Sequence, residues 1–282
     1  SIASSLGFQK EVTVLVGGHD QPLGALGAGV IEPGKAMYAT GTSEAITPAF
    51  PEPILSDDLF RYNICTYDYT VAGMYTTVVF SLTGGNILKW FRDEWGHREQ
   101  AEAEKTKRDI YEVLLDSIGD RPSPVLVLPY FTPSGTPYFD SEVSGAIFGL
   151  HLSTKREEVL RALLEGVAFE MRLNLDIMEG AGIPIEELRA IGGGAKSPLW
   201  VQLKADVLDT PITRVAVTEA AGYACAMIGC AALTGEPLEE LAKKWVKTEG
   251  VITPDPENAG SYRERFETYR KLYPALKELN IS

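Results

Sequence analysis

Apolar residues recur at helical spacing most clearly over residues 154–180. There Leu160, Leu163, Leu164, Val167, Met171, Leu175 and Met178 share one face. Thr154 is placed to cap this helix. Gly166, in mid-helix, costs about 1 kcal/mol against alanine, so the pattern calls for another backbone approaching at that point. A second helical stripe begins at Gly84, where Leu88, Phe91 and Trp95 lie on one side with Ile87 and Trp90 beside them. A third places Ala259, Tyr262, Phe266, Tyr269, Tyr273 and Leu276 at alternating spacings of three and four, with a kink expected before Pro274. The stretch 97–109 mixes charges of both signs at helical spacing and reads as a solvated helix face.

Extended segments show different signatures. Val12, Val14 and Val16 alternate in a β-branched run that stops at Gly17-Gly18, which predicts a short buried strand ending in an acid, Asp20. Residues 24–30 are small enough for a short helix or a close-packed corner, and Pro33-Gly34 marks a turn before an extended run at 37–40. Residues 62–80 carry many Tyr, Thr and Val, with Ala72-Gly73 as a hairpin turn. A buried strand is expected at 125–128, and an irregular loop rich in Tyr, Phe, Pro and Gly over 129–145. From 188 onward the order is strand, glycine turn 192–194, helix from Pro198, strand 212–217 and helix from Glu219. That alternation predicts an α/β fold.

Composition narrows the class of partner. The 282 residues are 45% hydrophobic and carry a formal net charge of −13, which disfavours nucleic acid or an anionic membrane as the main partner. A local backbone site still accommodates an anionic ligand. No apolar run reaches spanning length. The three cysteines show no metal-ligand spacing and read as buried free thiols of a reducing, cytoplasmic compartment.

The chemistry concentrates in an acid and glycine-bearing turns. Gly192-Gly193-Gly194-Ala195-Lys196-Ser197-Pro198 joins a strand to a helix, the layout that lets backbone N–H groups approach a phosphate or nucleotide. It has neither the P-loop spacing nor the dinucleotide fingerprint. Gly41-Thr42-Ser43 adds hydroxyl donors suited to terminal phosphate oxygens. His19 neighbours Asp20, but adjacent residues on an extended segment point to opposite sides and make poor partners, so His19 reads as structural. Taken singly, each turn is equally well a structural one.

Together the motifs resemble the FGGY family of carbohydrate kinases. The resemblance runs in order through Gly17-Gly18-His19-Asp20-Gln21, Gly41-Thr42-Ser43, Gly84-Gly85 to Lys89-Trp90, Thr136-Pro137 to Asp140, Glu165-Gly166, the block 192–208 and Glu219 to Gly222. It covers nearly the whole chain, and 192–208 is its most specific part. In place of the family's common Gly-Glu-Arg-Thr-Pro segment the chain reads Thr132-Pro133-Ser134-Gly135-Thr136-Pro137, and Lys89 stands where some members carry glutamine.

The resemblance implies a ribonuclease H-like domain of the actin, hexokinase and Hsp70 superfamily, with a mixed sheet flanked by helices. It implies one domain over 1–282, the C-terminal half of a kinase whose N-terminal sugar-binding domain is absent. Asp20 falls on the catalytic base and Gln21 on a position that touches substrate. Gly41, Thr42, Gly85, Lys89, Gly193, Gly194 and Ser197 fall on nucleotide-contacting positions. ATP and Mg²⁺ are the implied cofactors, a sugar or polyol the implied acceptor, and a homodimer stays open. Two other readings share the motifs: an ATPase switch module of the actin or chaperone kind, and a non-catalytic binding domain.

Overall fold

The computed structural model describes residues 2–10 and 12–279. Six strands build its central sheet: β1 (Gly34–Thr40), β2 (Glu44–Pro48), β3 (Val79–Ser81), β4 (Ile185–Ile191), β5 (Ile212–Val215) and β6 (Thr248–Ile252). Their order across the sheet is β6-β5-β4-β1-β2-β3. The first three form an antiparallel meander, β4 adds parallel to β1, and β5 adds parallel to β4. The outer strand β6 runs antiparallel to β5. The helices that pack the core and carry the site are, in chain order, α1 (Asp20–Gly27), α2 (Gly85–Trp95), α3 (Arg156–Gly180), α4 (Pro198–Leu208), α5 (Ala220–Thr234) and α6 (Pro256–Tyr269).

Side chains alternate across a pleated strand, so one strand feeds two cores. Ala36 and Tyr38 of β1 join Ile46, Leu188 and Ile212 against Met171 and Leu175 of α3 and Val201 and Ala205 of α4. Met37 faces the other way, into Leu23 and Leu26 of α1 and Ala224 and Met227 of α5. A third cluster lies beyond α3, where Phe169 meets Phe91, Val127, Tyr262 and Phe266. The sheet is thus covered by helices on both faces, as the alternation predicted.

The mid-helix glycine has the reason its position demanded. A Cβ on Gly166 would stand 2.5 Å from the Val127 carbonyl oxygen, so a short strand, Leu126–Leu128, crosses α3 there. Two glutamates of α3 are also buried. Glu165 accepts from Tyr262 Oη at 2.6 Å and Arg161 Nε at 2.7 Å; Glu170 accepts from Tyr269 Oη at 2.7 Å and Tyr130 Oη at 2.9 Å. Burial pushes the Glu170 carboxyl up to about 7 against the two hydroxyl donors that oppose the shift.

Four expectations are corrected. Residues 12–16 form no strand, and Val14 and Val16 are 87% and 95% exposed. An alternating run needs a neighbouring strand to close its ladder, and none lies beside it among the described residues. Asp20 therefore stands at the first position of α1 rather than at a strand end. The α3 cap is Lys155, whose N–H donates to Glu158 Oε2 at 2.7 Å, while Thr154 Oγ1 instead accepts from the His151 N–H. The cysteines are not buried: Cys65 and Cys225 are exposed and Cys230 half-buried. The kink expected before Pro274 is present as a break between α6 and a last helix, Leu272–Glu278.

Candidate active site

The acid and the first glycine turn meet at one cavity. Its volume is about 710 Å³, and Gly18, Asp20, Gln21, Ser43, Glu44 and Tyr67 are among the residues lining it. Asp20 sits there because His19, in extended conformation, caps α1: the Gln21 N–H donates to His19 Nδ1 at 3.3 Å. The bend brings His19 Nδ1 within 3.3 Å of Asp20 Oδ1, contrary to the expectation that neighbours diverge. An Nδ1 that accepts from Gln21 has no proton to give Asp20, so the two contacts exclude each other. Both side chains are largely exposed, which leaves the Asp20 carboxylate open to the cavity at the positive end of its own helix. The Gln21 amide oxygen is buried and has no donor among the described residues.

The far end of α1 is fixed as firmly. Arg189 of β4 donates from Nη1 to the Gly29 carbonyl at 2.7 Å and the Ala28 carbonyl at 3.1 Å. Gly27 leaves no room for a side chain against the Ala220 carbonyl, so α1 and α5 cross in close contact.

Three glycine turns converge at the end of β1 and β4. The Gly85 N–H donates to the Gly41 carbonyl at 2.7 Å, and the Asn86 N–H to the Thr42 carbonyl at 3.3 Å. Thr40 Oγ1 donates to the Ile191 carbonyl at 3.0 Å. Gly192 has a φ of +90°, and a Cβ there would stand 2.6 Å from the Thr40 carbonyl oxygen. A Cβ on Gly194 would stand 2.8 Å from Thr40 Oγ1. Only glycine permits these approaches. The Ala195 carbonyl accepts from Arg214 Nε at 2.9 Å, which holds the third turn to β5.

The predicted residues separate by role. Gly85 is bonded to Gly41, and Gly194 packs against Thr40, the residue before Gly41, while Gly193 has open space around its Cβ position. Thr42 is exposed on the same turn but does not line the cavity; its neighbour Ser43 does. Ser197 caps α4, its Oγ accepting from the Trp200 N–H at 3.3 Å. Lys89 is exposed one helical turn beyond Gly85. Sequence reasoning missed Glu44, Tyr38, Trp200 and Lys204, which lie beneath these turns, and the hairpin segment 67–70 that forms a cavity wall.

Residues 36–233 match the model of the FGGY family of carbohydrate kinases, C-terminal domain. The chain belongs to this family. It is 27% identical over 285 residues to the xylulose kinase of Bacillus subtilis, covering 100% of this chain and 54% of that protein. It is 27% identical over 283 residues to the gluconokinase of Bacillus licheniformis, covering 98% and 54%. A solved structure described as a xyloylose kinase from Brucella ovis superposes with a TM-score of 0.83 at 26% identity, over 99% of this chain and 55% of that one. The gluconate kinase structure from Lactobacillus acidophilus shares the fold at a TM-score of 0.82 and 22% identity, over 97% and 54%. The chain therefore spans about half the length of the relatives it matches.

Proposed function

We propose that the chain is the nucleotide-holding, base-bearing half of an ATP-dependent kinase that phosphorylates a hydroxyl of a sugar or polyol. The observation that carries this reading is the cavity shared by Asp20, Gln21 and Ser43 beside the stitched turns. The strand order, an antiparallel meander extended by two parallel strands, supports the ribonuclease H-like reading of the domain. Family membership favours a kinase over an actin-like switch or a non-catalytic domain.

A nucleotide fits the turns. Gly193 and the exposed turn 41–43 present backbone, and the glycines behind them leave no side chain in the way. Thr42 and Ser43 offer hydroxyl donors to phosphate oxygens, Lys89 a cation at the same edge, and Gly193, Gly194 and Ser197 a wall for the nucleoside. Asp20 accepts the proton of the attacking hydroxyl at its carboxylate, and Gln21, next to it in the cavity wall, helps orient the acceptor. In such transfers Mg²⁺ neutralises charge on the phosphoryl oxygens. Among the described residues no group of three or more His, Cys, Asp or Glu is arranged to hold it, so no step is assigned to the metal here.

Because the relatives are about twice as long, the proposal includes acceptor contacts supplied from outside this chain. The chain alone then binds adenine nucleotide weakly and releases no ADP in response to sugar. Sugar-dependent ADP release by the purified chain would overturn that part. In the full-length enzyme Asp20→Asn lowers kcat by about 10²–10⁴-fold while ATP affinity persists. Near-normal turnover removes Asp20 from its role.

A further inference from the structure

We infer that Lys204, Glu44 and Tyr38 are positioning residues that hold the turn Gly41-Thr42-Ser43 in place for the phosphates of a bound nucleotide, an inference that rests on the kinase reading above. Glu44 opens β2 directly after that turn and contributes to the cavity that Asp20 lines. Both of its carboxylate oxygens are engaged. The Tyr38 hydroxyl donates to one and the Lys204 ammonium to the other. Lys204 Nζ also lies 4.7 Å from the centre of the Tyr38 ring and 4.5 Å from that of Trp200, so the cation is enclosed by two aromatic rings and an acid. Tyr38 is fully buried, and Glu44 and Lys204 are each 1% exposed.

An ion pair sealed from water is a costly way to join β2 to α4, and apolar residues of similar volume commonly hold a core as well. What the pair adds is direction. It fixes the carboxylate at both oxygens and so fixes the backbone of Glu44 and of Ser43 before it. The second turn rests on the same group. A Cβ on Gly84 would stand 2.9 Å from Glu44 Cγ and 2.8 Å from the Ser43 carbonyl carbon. Trp200, one turn before Lys204 on α4, approaches the third turn: a Cβ on Gly194 would stand 3.2 Å from its ring. The buried pair therefore underlies the first two turns directly and reaches the third through Trp200.

The experiment titrates ATP and adenosine into the chain by calorimetry, with melting followed without ligand. Lys204→Met strands the Glu44 carboxylate and lowers Tm. In Lys204→Met/Glu44→Gln the floor is neutral, so Tm recovers, yet ATP binding stays at least about tenfold weaker while adenosine changes less than about twofold. Tyr38→Phe, which removes one hydroxyl, weakens ATP about threefold with adenosine again unchanged. Tyr38→Phe gives an independent reading should the double variant fail to fold. Equal losses for ATP and adenosine, or ATP affinity within twofold of wild type in a folded variant, overturn the positioning role and leave the kinase reading standing. A wild-type chain that binds neither ligand overturns both.

Discussion

Alanine at position 166 weakens the fold and alanine at 229 strengthens it, although both glycines lie inside helices. Each replacement gains helix propensity, about 1 kcal/mol. At Gly166 the added Cβ would stand 2.5 Å from the Val127 carbonyl oxygen and 3.3 Å from Val127 Cβ. Carbon and carbonyl oxygen settle at about 3.3 Å or beyond, so the strand Leu126–Leu128 must retreat by roughly 0.8 Å. Val127 and Leu128 are each 1% exposed and are paired to Ala146–Phe148, so that retreat opens packing on both sides. Overfilling a core costs about 1–3 kcal/mol, which exceeds the propensity gain and leaves a net loss of about 1 kcal/mol. Gly229, on α5, has nothing within 4 Å of its Cβ position. There only the gain remains, about 0.4–1 kcal/mol. Urea unfolding of both variants reads the opposite signs as shifts of the midpoint at unchanged slope. A Gly166→Ala protein as stable as Gly229→Ala would refute the close approach.

Glu170 makes stability depend on pH. Its folded value of about 7 lies above the ordinary 4.5, so the folded state keeps a proton that the unfolded chain loses between them. The stabilisation is complete below about 4.5 and is lost as pH rises through about 7, on the order of 3 kcal/mol in all. Glu170→Gln removes that slope while keeping an acceptor for Tyr130 and Tyr269; a stability gap to wild type that is equal at pH 5 and pH 8 would contradict the assignment. Gly192→Ala must place a side chain at φ +90° against the Thr40 carbonyl, and loses about 2 kcal/mol or more, read as a drop in Tm of several degrees. Gly193→Ala meets no neighbour and melts with wild type, yet weakens ADP binding by narrowing the turn; unchanged affinity would place the nucleotide elsewhere.

The helices and the α/β alternation were legible in the sequence because burial periodicity is local. Leu160 to Met178 recur every three or four residues, and their contacts with the sheet follow from that repeat. Even Gly166 was interpretable, since a costly residue in mid-helix implies a reason close by. The run 12–16 misled for the complementary reason: alternation states which faces a strand would have, not whether a partner strand is present. His19 and Asp20 misled because a helix cap changes direction within one residue.

The candidate site divides along the same line. Asp20 and the glycines carried signals in their own neighbourhoods, an acid after two glycines and turns between strand and helix. Their convergence did not, because Gly41, Gly85 and Gly192 are brought together by strand order rather than by spacing. Glu44 and Lys204 mark the limit. Each, read locally, is an ordinary charge beside apolar residues, and nothing within a dozen positions says that either is buried. They are 160 residues apart and meet only once β2 and α4 have packed. A buried charge is tolerated when its partner is present, and that partner is a property of the fold, not of the segment. The backbone turns of this site could therefore be anticipated from short motifs, while the ionic floor beneath them required the tertiary structure.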